Sequence, residues 1–238
     1  EAAGYVAQGY TMLKVKVGKN LEFDTKLIEG FRSRFPTTTI AADSNHAYNY
    51  KEAIRIGRVL EANDYCWFEE PLSPENYADM ARLRDQLSVP IAAGECEQTR
   101  FGFERLASGA CLDIMQPDIA YCGGITEFVK INAIASASHT DMVPHCWGLK
   151  INQAVAASAI SMVPENPGRF ERRAVFLEMD QTEHPVRDSI FSKAHEVIDG
   201  KLHFNDLPGL GVEVDEAAMQ PFVVNPSAQD ESSFAVVE

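Results

Sequence analysis

The chain has 238 residues, 45% of them hydrophobic, and its 35 Asp and Glu against 21 Lys and Arg give a formal net charge of −14. These proportions exclude collagen-like, disordered and disulfide-scaffold proteins. An acidic surface repels nucleic-acid phosphates and anionic lipids, and no run approaches the ~18 apolar residues of a membrane span, so neither partner is expected. Five separate cysteines without a CxxC pair, and an N-terminus unlike a signal peptide, indicate reduced thiols and a cytoplasmic location.

Short apolar runs alternate with longer amphipathic stretches along the chain. After a helix end in residues 1–10, the apolar runs predict strands at 12–17, 38–43, 65–70, 90–95, 112–118, 141–145 and 174–179. Apolar residues at three and four spacing predict helices at 22–34, 51–61, 75–86, 99–107, 124–137 and 150–160. Strand followed by helix, repeated, indicates an α/β protein built from parallel βα units.

The number of predicted strands favours a closed barrel over an open doubly wound sheet, because no GxGxxG or similar phosphate-binding turn follows the first strand. A barrel of this type has eight strands and the sequence shows seven, so we expect a first strand upstream of Glu1 and a chain that is a fragment. Residues 1–200 are predicted to form the barrel. Residues 201–238 carry Gly and Pro punctuation and are predicted to be a tail over its exterior.

Each predicted strand carries an ionisable residue at or near its end. Active sites of parallel barrels lie at the C-terminal ends of the strands, so these side chains should meet at one mouth. In chain order they are Lys14 and Lys16, Asp43, Glu69 and Glu70, Glu95, Asp118, His145 and Glu178.

Three of these carboxylates are spaced evenly. Asp43, Glu69 and Glu95 lie 26 residues apart, one in each βα unit, which places them on adjacent strands. Three like charges so close need a cation, and an oxygen-only set favours Mg²⁺ over zinc. The alternative is that each carboxylate caps a helix or pairs with Arg.

Two further groups offer acid–base chemistry. Lys14 and Lys16 point to the same face of their strand, and adjacent ammonium groups lower each other's pKa, so one would serve as a base near neutral pH. Asp118 and His145 follow successive strands, where a carboxylate would fix the tautomer of the imidazole. The alternatives are solvated strand-end lysines and a structural histidine.

These motifs together resemble the barrel domain of the mandelate racemase subgroup of the enolase superfamily. The resemblance covers residues 1 to about 215 and rests on KVK at 14–16, DSN at 43–45, EEP at 69–71, GE at 94–95, PD at 117–118, VPHCWG at 143–148, LE at 177–178 and PGLGVEVD at 208–215. It implies a TIM-type (β/α)7β barrel that lacks its first strand and the family's N-terminal capping domain, against which residues 201–238 would otherwise pack.

The resemblance also implies roles for the strand-end residues. Asp43, Glu69 and Glu95 would bind Mg²⁺, which would hold the substrate's carboxylate. Lys16 would remove or return the proton on one face of the α-carbon. Lys14 would steady the carboxylate and lower the pKa of its neighbour.

On the opposite face, His145 oriented by Asp118 would serve as the second acid–base group, and Glu178 would hydrogen-bond the enolate oxygen. Asn45 and Glu70 are expected to support the ligands or contact substrate, with helix capping as the alternative. Further residues that could meet substrate hydroxyls on the same rim, with surface placement favoured as the alternative for most of them, are His46, Tyr48, Glu97, Gln98, Trp147 and Lys150.

The implied chemistry is Mg²⁺-dependent removal of the proton α to a carboxylate through an enediolate, stabilised by a cation and hydrogen-bond donors. Dehydration of a sugar acid is favoured, and racemisation or epimerisation of a 2-hydroxy acid is the alternative. The expected partner is a small-molecule carboxylate, and barrels of this sort are commonly homo-oligomers. A reading of another class is a truncated, non-catalytic barrel that binds metal or an organic acid, or an assembly partner completed by a separate chain.

Overall fold

Six parallel strands form the central sheet of the computed structural model, which describes residues 1–163 and 176–224. The strands lie side by side in sequence order, so each βα unit places its strand next to the preceding one. They are β1 (Met12–Lys16), β2 (Thr39–Asp43), β3 (Phe68–Glu69), β4 (Ile91–Ala93), β5 (Ile114–Met115) and β6 (Asp141–Met142). The predicted α/β barrel class with a parallel sheet is confirmed.

The helices follow the predicted segments within about two residues at each end. They are α1 (Ala2–Ala7), α2 (Leu21–Arg34), α3 (Tyr50–Ala62), α4 (Tyr77–Gln86), α5 (Thr99–Ser108), α6 (Ile125–Ala137) and α7 (Lys150–Ile160). Polar caps fix several of the starts. The Asn49 side chain, for example, accepts hydrogen bonds from the backbone N–H groups of Lys51 and Glu52, and the Glu52 carboxylate accepts one from the Asn49 backbone N–H.

Side chains alternate between two faces of the sheet, and each face has its own apolar cluster. The larger cluster packs strand residues such as Val15 and Phe68 against helix residues such as Ile56 and Phe103. On the face away from the helices, a smaller cluster contains Ala41, Trp67, Ala92 and Ile114, with Met12, Val143 and Phe176 at its margin. This second face is the one on which the ionisable strand ends lie, because Lys14, Asp43 and Glu69 follow Met12, Ala41 and Trp67 two residues later.

The prediction of a seventh strand over 174–179 is not met in the part of it that the structure describes. Residues 176–179 form no strand, and 174 and 175 lie outside the described residues. The Phe176 ring nevertheless packs on Trp67, with ring centroids 6.3 Å apart, so the segment is placed on the inner face by apolar contact instead of strand pairing.

The C-terminal part of the chain forms small antiparallel pairs. After α8 (Pro185–Ser189), β8 (Glu196–Ile198) pairs with β9 (Lys201–His203), and β10 (Glu213–Val214) pairs with β7 (Phe191–Lys193). A short helix α9 (Glu216–Met219) and a 3₁₀ turn (Gln220–Phe222) follow. Among the described residues, no helix is long and apolar enough to cross a membrane.

Candidate active site

The three evenly spaced carboxylates meet at the C-terminal ends of neighbouring strands. Asp43 ends β2 and pairs in register with Glu69, which ends β3. Glu95 follows β4, and one ligand oxygen from each of the three lies within 4.8 Å of the others. Asp43 and Glu69 are buried, whereas Glu95 is partly exposed. Buried carboxylates at this separation can share one small cation, whose oxygen ligands lie about 3–4 Å apart.

A glycine makes the placement of Glu95 sterically feasible. Gly94 has a φ of 132°, a conformation that side chains rarely adopt, and a Cβ there would lie 2.9 Å from the Phe103 ring and 3.2 Å from the Gln116 backbone nitrogen. Only glycine fits this turn without displacing its neighbours. The turn takes the chain out of β4 and presents Glu95 beside the two buried carboxylates.

Glu69 is held by donors that the sequence-based prediction missed. Trp67 Nε1 and Gln116 Nε2 each donate to Glu69 Oε2 at 2.9 Å, and Lys14 Nζ lies 2.5 Å from Oε1. Burial, opposed by Lys14 and reinforced by Asp43 and Glu178, raises the pKa of Glu69 to about 7. The available signal was a polar Gln116 directly after the buried Ile114–Met115 strand.

The two lysines differ in their surroundings. Lys14 Nζ contacts Glu69, Glu178 and, at 3.5 Å, Asp43 Oδ2. Burial favours a neutral amine, but these three carboxylates outweigh it and raise the pKa of Lys14. The expected mutual lowering between the lysines is therefore wrong for Lys14.

Lys16 lies further out on the same face. Its side chain is 61% exposed, and its ammonium group pairs with Asp43 Oδ2 and donates to Asn45 Oδ1 at 2.8 Å. Asn45 also donates its backbone N–H to Asp43 Oδ1 at 3.0 Å. Lys16 and Asn45 are thus brought to Asp43, as predicted. Two lysines among the acids compensate only part of the charge.

The predicted histidine–aspartate pair is formed. His145 Nδ1 lies 2.7 Å from Asp118 Oδ2, while Nε2 faces Glu95 Oε2 at 3.3 Å and Glu178 Oε2 at 4.0 Å. Burial lowers the pKa of His145, but the Asp118 hydrogen bond and the charges of Glu178 and Glu95 outweigh it, so the net shift is upward. Glu178 itself is held by the Cys146 backbone N–H at 3.0 Å.

Glu70 lies beneath the loops and does not join the trio. It is 1% exposed, accepts from the Gly94 backbone N–H at 2.8 Å through Oε1, and places Oε2 3.0 Å from His46 Nε2. The Glu70 carboxylate beside the ring, whose effect outweighs that of burial, raises the pKa of His46. The prediction for Tyr48 is wrong: the side chain is buried and its hydroxyl donates to Asp24 Oδ2 at 2.9 Å, so it packs against α2 instead of reaching the rim.

The donor set fits a magnesium ion. Glu95 Oε2 is buried and accepts no hydrogen bond within the described ranges, although His145 lies close. Burial, opposed by the charge of His145 and reinforced by Glu70 and Asp43, raises the pKa of Glu95. Hard carboxylate oxygens without a sulfur or nitrogen ligand in the trio are the set that Mg²⁺ prefers.

The parallel βα sheet gathers acid, lysine and histidine side chains at its C-terminal strand ends, which is where barrel enzymes have their active sites. The chain belongs to the family described as enolase C-terminal domain-like, whose model matches residues 1–218. Structural relatives place it among mandelate-racemase-type members of the enolase superfamily.

Named relatives act on sugar acids and their derivatives. The chain is 33% identical over 223 residues to D-galactarolactone cycloisomerase of Agrobacterium fabrum, covering 93% of this chain and 59% of that protein. It is 32% identical to arabinonate dehydratase of Saccharolobus solfataricus, covering 93% and 58%. The chain therefore spans about three fifths of the length of these relatives.

Solved structures agree with this assignment. The 3,6-anhydro-D-galactonate cycloisomerase of Zobellia galactanivorans is 39% identical and superposes with a TM-score of 0.85, covering 94% of this chain and 62% of that one. A racemase of Streptomyces coelicolor A3(2) with bound magnesium is 27% identical, with a TM-score of 0.79 over 94% of this chain and 58% of that one.

Proposed function

We propose that the protein containing this chain removes the proton α to the carboxylate of a sugar acid in a Mg²⁺-dependent reaction, and that dehydration follows. The observation that carries the proposal is the arrangement around Glu178. Lys14 pairs with its Oε1 from one side, while His145 Nε2 faces its Oε2 from the other. Basic groups thus flank a common space beside the carboxylate trio.

Asp43, Glu69 and Glu95 would hold the magnesium ion. When bound, the ion supplies positive charge that binds the substrate carboxylate and stabilises the enediolate. The excess of carboxylates over lysines in this cluster supports the assignment.

Lys16 would take the α-proton as a neutral amine, and the freed electron pair would form the double bond between the α-carbon and the carboxylate carbon of the enediolate. That pair would shift to the bond between the α- and β-carbons when the hydroxyl leaves. Lys14, held between Glu69 and Glu178, stays charged and steadies the substrate carboxylate. The exposure of Lys16 leaves it free to reach substrate, whereas its hydrogen bond to Asn45 directs the ammonium group towards Asp43.

His145 would complete the elimination on the other side. Asp118 accepts the Nδ1 proton, so Nε2 faces the site, and in the imidazolium form, which the raised pKa of His145 favours, Nε2 carries a second proton. As the bond from the β-carbon to the hydroxyl breaks, this proton passes to the departing oxygen and water leaves. Glu178 would donate a hydrogen bond to the enolate oxygen in its carboxylic acid form, and the enol left after loss of water would tautomerise to a 2-keto acid.

Cycloisomerisation is a second candidate, because two of the similar proteins bear that name. The same steps would apply if the departing oxygen belonged to a ring of the substrate. Such an elimination opens the ring and retains every atom, so the product is an isomer. The residues around Glu178 serve both outcomes, and the substrate decides between them.

The deciding experiment uses the full-length protein with Mg²⁺, a library of sugar acids and their lactones, and D₂O. We expect deuterium to enter the α-position of recovered substrate or the β-carbon of the keto product, where the enol takes up its proton. Lys16→Ala and His145→Ala should each reduce turnover by about 10²–10⁴-fold, the usual contribution of a general acid or base. Lys51→Ala and His139→Asn, both at exposed positions outside the site, are the matched controls.

Product mass separates the reactions. Loss of one water with a 2-keto product indicates dehydration, an isomeric keto product indicates ring opening, and an unchanged skeleton indicates racemisation. Magnesium binding without exchange for any library member would contradict the enzymatic proposal and favour a barrel that only binds metal or an acid.

For the domain arrangement, we propose that residues 1–200 form the catalytic barrel and that 201–238 pack outside it.

A further inference from the structure

A second set of metal-binding side chains lies beside the carboxylate trio. His46, Cys96 and a carboxylate oxygen of Glu95 place one ligand atom each within 4.8 Å of one another. Cys96 Sγ lies 3.9 Å from His46 Nε2. The proposed reaction uses neither His46 nor Cys96.

The fold brings these residues together across one intervening strand. His46 follows β2, and Cys96 follows β4, while β3 lies between them. Glu70 at the end of β3 connects both loops, because its carbonyl accepts from the His46 backbone N–H at 2.8 Å and its Oε1 accepts from the Gly94 N–H at 2.8 Å. The loops are therefore held in fixed relative positions.

Nitrogen, sulfur and carboxylate oxygen together are the ligands of a borderline-soft ion such as Zn²⁺, whereas Mg²⁺ prefers oxygen alone. In a tetrahedral zinc site, bonds of about 2.0–2.3 Å place neighbouring ligands about 3.5 Å apart. The observed 3.9 Å between Sγ and Nε2 requires only a small adjustment, and Cys96 is exposed and can rotate.

A buried acceptor points into the same space. Glu70 is 1% exposed, and its Oε2 accepts no well-aligned hydrogen bond among the described residues although His46 Nε2 lies 3.0 Å away. Negative charge below the histidine favours a cation on that side. The cluster thus combines three ligand types with a buried carboxylate oxygen beside the histidine.

We propose that His46, Cys96 and Glu95 form a binding site for a thiophilic divalent cation such as Zn²⁺, and that this site competes with the carboxylate trio for Glu95. A cation held by the cysteine and histidine draws Glu95 away from Asp43 and Glu69. Zinc bound to His46, Cys96 and Glu95 would therefore weaken magnesium binding to the trio without itself occupying the magnesium site.

Co²⁺ is the probe for the test, because cobalt bound to a thiolate gives an intense near-ultraviolet charge-transfer band and cobalt bound to oxygen alone does not. We expect the wild-type full-length protein to show the band on titration with Co²⁺. Cys96→Ser should abolish the band. His46→Asn removes a ligand itself and should weaken Co²⁺ binding by at least about tenfold, because removing only a residue that supports a metal ligand already costs about that much affinity. Cys66→Ser, which changes a cysteine away from the cluster, is the matched control and should retain the band.

Competition is measured by adding excess Mg²⁺, which should decrease the cobalt band if Glu95 is shared. A wild-type protein without the band, or a band that survives Cys96→Ser, would overturn the site. A band that is insensitive to Mg²⁺ would overturn the sharing of Glu95. None of these readouts depends on turnover, so they are independent of the proposed reaction.

Discussion

Replacing Gln116 with leucine tests how the buried end of Glu69 is supported. Gln116 is 2% exposed, and its Nε2 donates to Glu69 Oε2 at 2.9 Å. Its own Oε1 is buried and has no hydrogen-bond partner within the described part of the chain. Leucine has a similar size, so the substitution removes one good polar contact and one unsatisfied atom while preserving packing.

The two effects on stability oppose each other. Losing a hydrogen bond to a charged acceptor costs about 1.5–3 kcal/mol, whereas removing an unsatisfied buried oxygen returns about 1–3 kcal/mol. We therefore expect the free energy of unfolding of Gln116→Leu to lie within about 1 kcal/mol of the wild-type value. Cation affinity should respond differently, because among the described residues only Trp67 Nε1 then donates to Glu69 Oε2. Loss of a partner that orients a ligand lowers metal affinity by roughly 10- to 100-fold.

Urea unfolding in the presence of a chelator gives the stability, and calorimetric titration with Mg²⁺ gives the affinity. Gln153→Leu is the matched control, because Gln153 is also buried but lies on α7, and its Mg²⁺ affinity should equal that of wild type. If Gln116→Leu lost more than about 3 kcal/mol and bound Mg²⁺ normally, Gln116 would be a packing residue and the reasoning would be wrong.

Three other substitutions test separate features. Asn49→Ala removes the cap of α3 and should lower the free energy of unfolding by about 1 kcal/mol, with a smaller loss in Asn49→Asp; equal losses in thermal unfolding would contradict the capping role. Gly94→Ala forces a strained backbone and a contact with Phe103, so it should lower the free energy of unfolding by about 1–3 kcal/mol. It should also weaken Mg²⁺ binding by displacing Glu95, and an unchanged Mg²⁺ affinity in calorimetric titration would contradict this role of the glycine. Burial alone would raise the pKa of Asp180, but hydrogen bonds from Thr182 and the charge of Arg187 outweigh it and lower the pKa. The ionised Asp180 side chain therefore contributes fully to the free energy of unfolding above the unfolded-state pKa of about 3.9, and this contribution is lost as the pH falls through the lower folded-state pKa. Asp180→Asn should flatten the acid limb of the stability curve in urea unfolding, and an unaltered limb would refute the linkage.

The order of strands and helices, and the convergence of the strand ends, could be predicted because both follow from local patterns. Parallel register then places Asp43 beside Glu69 without further information. The predicted strand over 174–179 shows the limit of this approach. Its apolar residues indicate burial, and Phe176 is indeed packed on Trp67, but composition does not specify a hydrogen-bonding neighbour.

The surroundings of individual side chains depended on contacts distant in sequence. Tyr48 follows a strand and a polar loop, yet Asp24 on α2 draws its hydroxyl away from the mouth. The position of Lys16 two residues away suggested a lowered pKa for Lys14, whereas carboxylates from other βα units raise the pKa of Lys14. Gln116 was not selected because its significance lies in contact with Glu69, 47 residues away.

The proposed magnesium ligands Asp43 and Glu69 end strands β2 and β3, whereas Asn45, His46 and Cys96 lie in the loops that follow β2 and β4. Loop residues can be exchanged at little cost to the sheet, while a change at a strand end disturbs both packing and charge. The architecture therefore separates the residues of the proposed magnesium site, which are fixed in the sheet, from loop residues that can be replaced more easily. New preferences can arise in single loops during divergence, which suits a lineage whose members are named as dehydratases, cycloisomerases and racemases.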